Sequence, residues 1–87
     1  MKYFVYIIES LKDQSYYIGY TQGLDKRLAY HNEGRGRYTS KKSPWKLAYS
    51  EEYNSKKEAI IRERQIKNWK NRRLILKLIS DNKKMER

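Results

Sequence analysis

From Tyr3 to Ile8 the chain reads YFVYII, six aromatic or β-branched residues without a polar interruption. That composition suits a strand covered on both faces, which predicts the central strand of a sheet. Leu11 to Ser15 turns polar through Lys12, Asp13 and Gln14, and Tyr16 to Tyr20 (YYIGY) resumes the β pattern. The two runs predict an antiparallel hairpin. After Thr21 and Gly23 the period changes: Leu24, Arg27, Leu28 and His31 fall at i, i+3, i+4 and i+7, one face of a helix. Asp25 in its first turn complements the helix dipole, and Gly34 is placed to end it. Trp45, Leu47 and Tyr49 alternate with Lys46, Ala48 and Ser50, which predicts a third strand over Trp45 to Tyr53 with one apolar face. Ser55 with Glu58 forms a capping box and opens a helix through about Trp69. A last helix, roughly Asn71 to Ile79, is expected to turn Leu74, Ile75, Leu78 and Ile79 inward.

The order ββαβαα predicts an α/β (α+β) fold, a small three-stranded antiparallel sheet with helices packed on it. With 87 residues there is room for one modest core, since a chain of this size buries roughly 60% of its unfolded surface. Residues 1–80 are read as a single domain and 81–87 as a basic, frayed C-terminal tail. No stretch approaches the ~20 apolar residues of a membrane span, and the apolar N-terminal run stops at Glu9, too soon for a signal peptide. The expectation is a cytoplasmic protein without a membrane partner, and a monomer by default.

Charge then narrows the function. There are 21 Lys and Arg against 10 Asp and Glu, a formal net charge of +11. So many cations repel one another in a folded chain, and an anionic partner relieves this. Nine Tyr and two Trp add rings that can stack on bases or frame a groove, so nucleic acid is the leading candidate over a merely solvated basic surface. Residues 34–46 (GRGRYTSKKSPWK) hold five basic side chains, no acid, two glycines and the only proline, and are read as a mobile cationic loop. Residues 56–87 hold twelve basic residues against four acidic ones. The nucleic-acid contacts are therefore expected from Arg35, Arg37, Lys41 and Lys42 of the loop and from Lys67, Lys70, Arg72 and Arg73 of the helical half. No helix-turn-helix, zinc-finger or RNA-motif signature is present, so binding should rest on phosphate contacts and depend strongly on salt.

The chain has no Cys and a single His. That excludes disulfides, thiolate catalysis, thiolate zinc and multi-histidine metal sites. A metal here must be hard and oxygen-ligated, which points to Mg²⁺ or Mn²⁺.

Three polar side chains sit where packing would favour apolar ones. On the wheel of the helix that follows Ser55, Ala59, Ile66 and Trp69 define the inward face, and Glu63 falls within that arc. A carboxylate there could snorkel, pair with an arginine or ligate a metal. Arg27 and His31 flank Leu24 and Leu28 and can both face the sheet edge; taken singly, they read as a salt-bridging Arg and a half-buried His. Tyr6 and Tyr17, on the hairpin strands, taken singly read as core tyrosines with hydroxyls at the rim.

In combination these residues resemble the GIY-YIG nuclease family. Phe4-Val5-Tyr6 stands where that family has its first signature triplet, and Tyr17-Ile18-Gly19 matches the second, eleven residues from tyrosine to tyrosine. Arg27-Leu28-Ala29-Tyr30-His31 fits the family's Arg and His helix, and Arg62-Glu63-Arg64-Gln65-Ile66-Lys67 fits its glutamate helix. That last stretch, with Trp69 and Leu74 to Ile79, is similar to the stand-alone single-domain branch of the family. Phe4 and Val5 replace Gly and Ile at backbone and packing positions. By position after the last helix Asn82 corresponds to the family's late asparagine, with Asn68 and Asn71 as alternatives.

The resemblance implies a metal-dependent endonuclease, acting on DNA before RNA, in repair, recombination or processing. It implies Glu63 as ligand of a single Mg²⁺ or Mn²⁺, Arg27 as phosphate clamp and Tyr17 as general base, with Tyr6 and His31 as supporting catalytic residues. A free phenol ionises only near pH 10, so the base role calls on nearby cations and hydrogen bonds. His31 has the reference pKa for relaying a proton. Only one carboxylate is required, in keeping with a sequence that has no DxD or ExK pair. Two other readings stand beside this: a nucleic-acid-binding module that keeps the fold without cleaving, and a basic structural protein of RNA or ribosomes with its tyrosines only in the core.

Overall fold

The computed structural model describes residues 1–85. Strand β1 (Tyr3–Ser10) lies between β2 (Tyr16–Thr21) and β3 (Trp45–Tyr53), antiparallel to both. Helices α1 (Leu24–Asn32), α2 (Lys56–Trp69) and α3 (Arg72–Met85) complete the order ββαβαα, an α+β fold as the pattern of the chain predicts.

The unbroken apolar run of β1 is explained by helices on both of its faces. Val5 and Ile7 point to one side and pack with Ile18, Tyr49, Ala59 and Ile66, and with Ile75 and Ile79 of α3. Tyr6 and Ile8 point to the other, smaller side, beneath Leu24 and Leu28 of α1 and against Trp45 and Tyr17. The second cluster contains the polar groups of interest.

Strand β3 departs from the simple alternation. Ile7 pairs with Tyr49 but Ile8 pairs with Leu47, so Ala48 is a bulged extra residue. One inserted residue switches the side chains beyond it to the opposite face. Trp45 therefore belongs to the α1 side, Tyr49 to the α2 and α3 side, and Leu47, expected inward with them, is exposed. In α3 the inward face is Ile75, Ile79 and the half-buried Leu78, whereas Leu74 is exposed. Asn71 precedes this helix, its side-chain oxygen accepting from the Arg73 N–H. The helix runs past the expected end at Ile79 to Met85. Glu86 and Arg87, the last residues assigned to the tail, lie outside the described residues.

The caps follow the sequence signals. Ser55 Oγ accepts from the Glu58 N–H at 3.2 Å and opens α2. Gly34, at φ +79°, ends α1 in the left-handed conformation that glycine tolerates best, its N–H donating to the His31 carbonyl. The C-cap of α2 is Lys70, also left-handed, at φ 47°.

The 34–46 segment is a correction. The reading of a mobile loop rests on its glycines, proline and charge, yet the segment forms a 3₁₀ turn (Thr39–Lys42) pinned at several points. Ser10 Oγ donates to the Lys42 carbonyl, the Leu11 N–H to the Pro44 carbonyl, and the Trp45 indole N–H to the Thr39 carbonyl. The Asn32 side chain accepts from the Trp45 N–H and donates to its carbonyl.

Candidate active site

Tyr6 is held at the centre of the sheet and pairs across β2 with Gly19. A Cβ on Gly19 would stand 2.5 Å from the Tyr6 hydroxyl oxygen. The glycine of the YIG triplet thus makes the space in which that hydroxyl lies. His31, at the end of α1, comes down on the same place: its Nε2 is 3.0 Å from the Tyr6 hydroxyl and its Nδ1 is 2.8 Å from Thr39 Oγ1. Both His31 and Thr39 are buried. Gly36 leaves room for the Thr39 hydroxyl, which a side chain there would strike.

Burial pushes the Tyr6 phenol well above its ordinary range, with Tyr17 and Glu63 adding to the rise and Arg27 opposing it. Burial and the Arg27 charge lower the His31 pKa, so its ring is neutral at physiological pH. A protonated phenol whose partner among the described residues is Nε2 donates to that nitrogen. The ring hydrogen then sits on Nδ1 and is donated to Thr39. Thr39→Val is expected to lower stability by about 1–2 kcal/mol, the worth of a buried hydrogen bond with its stranded partner. The ring hydrogen should stay on Nδ1, because the Tyr6 phenol still donates to Nε2, and Thr39→Ser should recover the stability. Ring ¹⁵N chemical shifts and urea unfolding check this, and a ring hydrogen found on Nε2 would refute the assignment.

Tyr17 lies against the same imidazole, its ring centre 5.1 Å from that of His31, and it also touches Trp45 and Tyr38. Arg27 is exposed, its guanidinium 5.1 Å from the Tyr30 ring centre, and it lines the open depressions on either side of it with Thr21, Tyr20 and Tyr30. Glu63 occupies the inward arc of α2 between buried Ala59 and Ile66, with its side chain 14% exposed. Its carboxylate pairs with Lys67 one turn on, at 3.6 Å, and the Lys67 ammonium stands 5.9 Å from the Tyr17 ring centre. The charges of Arg27 and Glu63 both bear on the Tyr6 hydroxyl. Tyr6, Tyr17 and His31 are therefore in contact with one another, and Arg27 and Glu63 lie near enough for their charges to act on the Tyr6 hydroxyl.

The expected phosphate contacts divide. Arg37, Lys41, Lys70 and Arg73 are exposed, and Arg35 is exposed but paired with Glu33 at 3.1 Å. Lys42 is engaged by Asp13, Ser15 and Tyr38. Arg72 donates to the Gln14 carbonyl at 2.9 Å and lies against Tyr16, which ties α3 to the hairpin. Asn71 is committed to capping α3, Asn68 is exposed, and Asn82 is half-buried on α3. Sequence reasoning did not find Thr39, because a buried polar residue in an irregular segment leaves no periodic trace, nor Asn32, an exposed residue at the end of α1 whose partner Trp45 belongs to another element. It also missed the partner of Arg62, which is Glu51 at 2.9 Å, although the spacing Tyr49, Glu51, Tyr53 places three polar-tipped side chains on one strand face.

Residues 2–78 match the GIY-YIG catalytic domain, and the chain belongs to that nuclease-like family. Within it the chain falls among small single-domain proteins. A UPF0213 protein of Staphylococcus saprophyticus is 42% identical over 92% of this chain and 96% of its own length. Another, from Halobacterium salinarum, is 45% identical over 72% of this chain and 82% of its own length. The solution structure of a UPF0213 protein from Bacillus halodurans superposes with a TM-score of 0.59 at 38% identity, covering 92% of this chain and 84% of that one. Nucleases of the family generally use divalent metal ions, and membership points to nucleic acid as the substrate class. Among the described residues no helix is long and apolar enough to cross a membrane.

Proposed function

We propose that the protein is a metal-dependent endonuclease that hydrolyses phosphodiester bonds, DNA before RNA, acting as a monomer in the cytoplasm in the repair, recombination or processing of nucleic acid. The observation that supports the reading is the contact of Tyr17 with the Tyr6–His31 pair, with the charges of Arg27 and Glu63 acting on the same Tyr6 hydroxyl, beside a cationic surface.

Glu63 offers a single hard carboxylate, and among the described residues no three His, Asp or Glu side chains gather to form a richer site. One carboxylate with water and a phosphate oxygen suits Mg²⁺ or Mn²⁺, and Glu63 would be the protein's ligand. Such an ion would supply charge to the nonbridging phosphate oxygens. Arg27, exposed at the edge of the site, would hold the phosphate through its planar donors and stabilise the developing charge. Tyr17 would take the proton of the attacking water. The Tyr6–His31–Thr39 chain is fully hydrogen-bonded, and it orients the ring against which Tyr17 rests.

The test is incubation of the protein with labelled single-stranded, duplex and branched DNA and with RNA, in Mg²⁺ or Mn²⁺ and again in excess chelator. Products are expected with metal and none with chelator. Binding without product under every condition would instead favour the non-cleaving module.

A further inference from the structure

Of the twelve aromatic side chains in the sequence, Tyr38 alone is exposed, at 54%. It is nevertheless fixed. Its ring stacks on that of Tyr17 with centres 6.0 Å apart and planes 28° apart. The Lys42 ammonium lies 3.0 Å from its hydroxyl and 4.7 Å from its ring centre, which puts the cation at the hydroxyl end rather than across the face. Lys42 is held in turn by Asp13 at 3.5 Å, on the β1–β2 turn. The next residue, Thr39, is buried on His31. Both the backbone and the ring of Tyr38 are therefore positioned against the site before anything binds.

The surroundings are cationic. Arg37 and Lys41 flank the ring in sequence and are exposed, and Lys67 approaches the Tyr17 ring that Tyr38 covers. An open, stiffly held aromatic ring among cations matches a nucleobase linked to phosphates, because the ring accepts the base face while the cations take the backbone. In a duplex the base faces are covered by their neighbours, so only an unpaired base fits. We propose that Tyr38 is a stacking platform for an unpaired base beside the phosphate held in the active site, which makes single-stranded segments the preferred substrate. The proposal rests on the nuclease reading of the same site and adds its substrate class. It extends the Tyr17–Tyr38 stack outward by one base.

The test compares binding of an oligothymidylate of about 12 nucleotides, within the usual site size of single-strand binders, with an abasic strand of the same length and the same phosphates. Fluorescence anisotropy at low salt in chelator avoids cleavage, and an oligouridylate arm separates DNA from RNA. The wild type is expected to prefer the base-bearing strands by roughly tenfold, the worth of one stacked base. Tyr38→Ala should abolish that preference without weakening the abasic complex, and Tyr38→Trp should keep it. Equal losses on both strands in the alanine variant, or a wild type indifferent to the bases, would overturn the platform while leaving nucleic-acid binding intact. No binding to any strand would remove the proposed function as well. Thermal unfolding of each variant identifies a loss caused by misfolding, in which case Tyr38→Trp alone decides: retained base preference supports the platform and its loss overturns it.

Discussion

Glu63→Gln is expected to lower the single-turnover cleavage rate by about a thousandfold while strand affinity changes little. The substitution keeps the volume of the side chain and removes only its charge. A carboxylate that holds the sole divalent ion is worth several kcal/mol of transition-state stabilisation, and about 4 kcal/mol corresponds to a factor of a thousand. Folding should be nearly untouched. Among the described residues the ion pair lost is that with Lys67 at 3.6 Å, an i,i+4 pair whose lysine is half-exposed, and such pairs contribute about 0.3–0.5 kcal/mol. Relief of that pair also leaves Lys67 free to meet a phosphate, so binding does not fall with the charge. The measurement is a single-turnover time course with wild type and variant across a metal titration, beside a binding curve for each in chelator. A variant that cleaves at the wild-type rate would remove Glu63 from the chemistry. One that loses binding and cleavage in parallel would assign it to substrate binding instead.

How far the chain announces this arrangement depends on how local each signal is. Strand β1 declares its burial because every residue from Tyr3 to Ile8 is apolar or aromatic, and α1, α2 and the hairpin follow from periodicity and caps that lie within a dozen residues. Glu63 is visible as a charge inside an apolar arc, which is also a local pattern. The β3 bulge is not: whether Ala48 is inserted depends on the register against Ile7 and Ile8, some forty residues earlier. The same holds for Thr39. Its burial results from His31, Trp45 and Gly36 arriving together, and its own neighbours Arg37, Lys41 and Lys42 argue for solvent. The family motif supplied the five polar residues as a set, but their mutual geometry, with Tyr6 bonded to His31 and Tyr17 packed on the ring, is a property of the folded sheet.

On the opposite face the structure predicts a large loss of stability from a single charge. Glu51 of β3 receives the Arg62 guanidinium through Nε at 2.9 Å and Nη2 at 3.0 Å, with the hydroxyls of Tyr49 and Tyr53 donating to the same carboxylate. Its side chain is 16% exposed and that of Arg62 is 26% exposed. Glu51→Ala leaves a half-buried guanidinium and two phenols without their acceptor and is expected to cost about 2–4 kcal/mol, toward the lower end of the range for broken buried pairs because some solvent reaches the arginine. The pH dependence distinguishes this cause from simple loss of packing. Burial alone would raise the Glu51 pKa, but the hydrogen bonds from Arg62, Tyr49 and Tyr53 and the arginine charge outweigh it and hold the pKa below its ordinary value of 4.5. A depressed folded pKa means stability that is complete above the unfolded value and lost as pH falls through the folded one. Burial and the same carboxylate push Tyr53 up to about 12 and raise Tyr49 further, and raised phenols contribute stability present below pH ~10 that is lost as the pH climbs through their folded values. The His31 contribution, which declines below its ordinary 6.5, is common to wild type and variant. Urea unfolding of both proteins should therefore show a difference in stability that is level from about pH 5 to 9, shrinks below about pH 4 as Glu51 takes up its proton, and shrinks again above about pH 10. A difference that stayed constant down to pH ~3 would mean that Glu51 acts through its bulk and not through its charge.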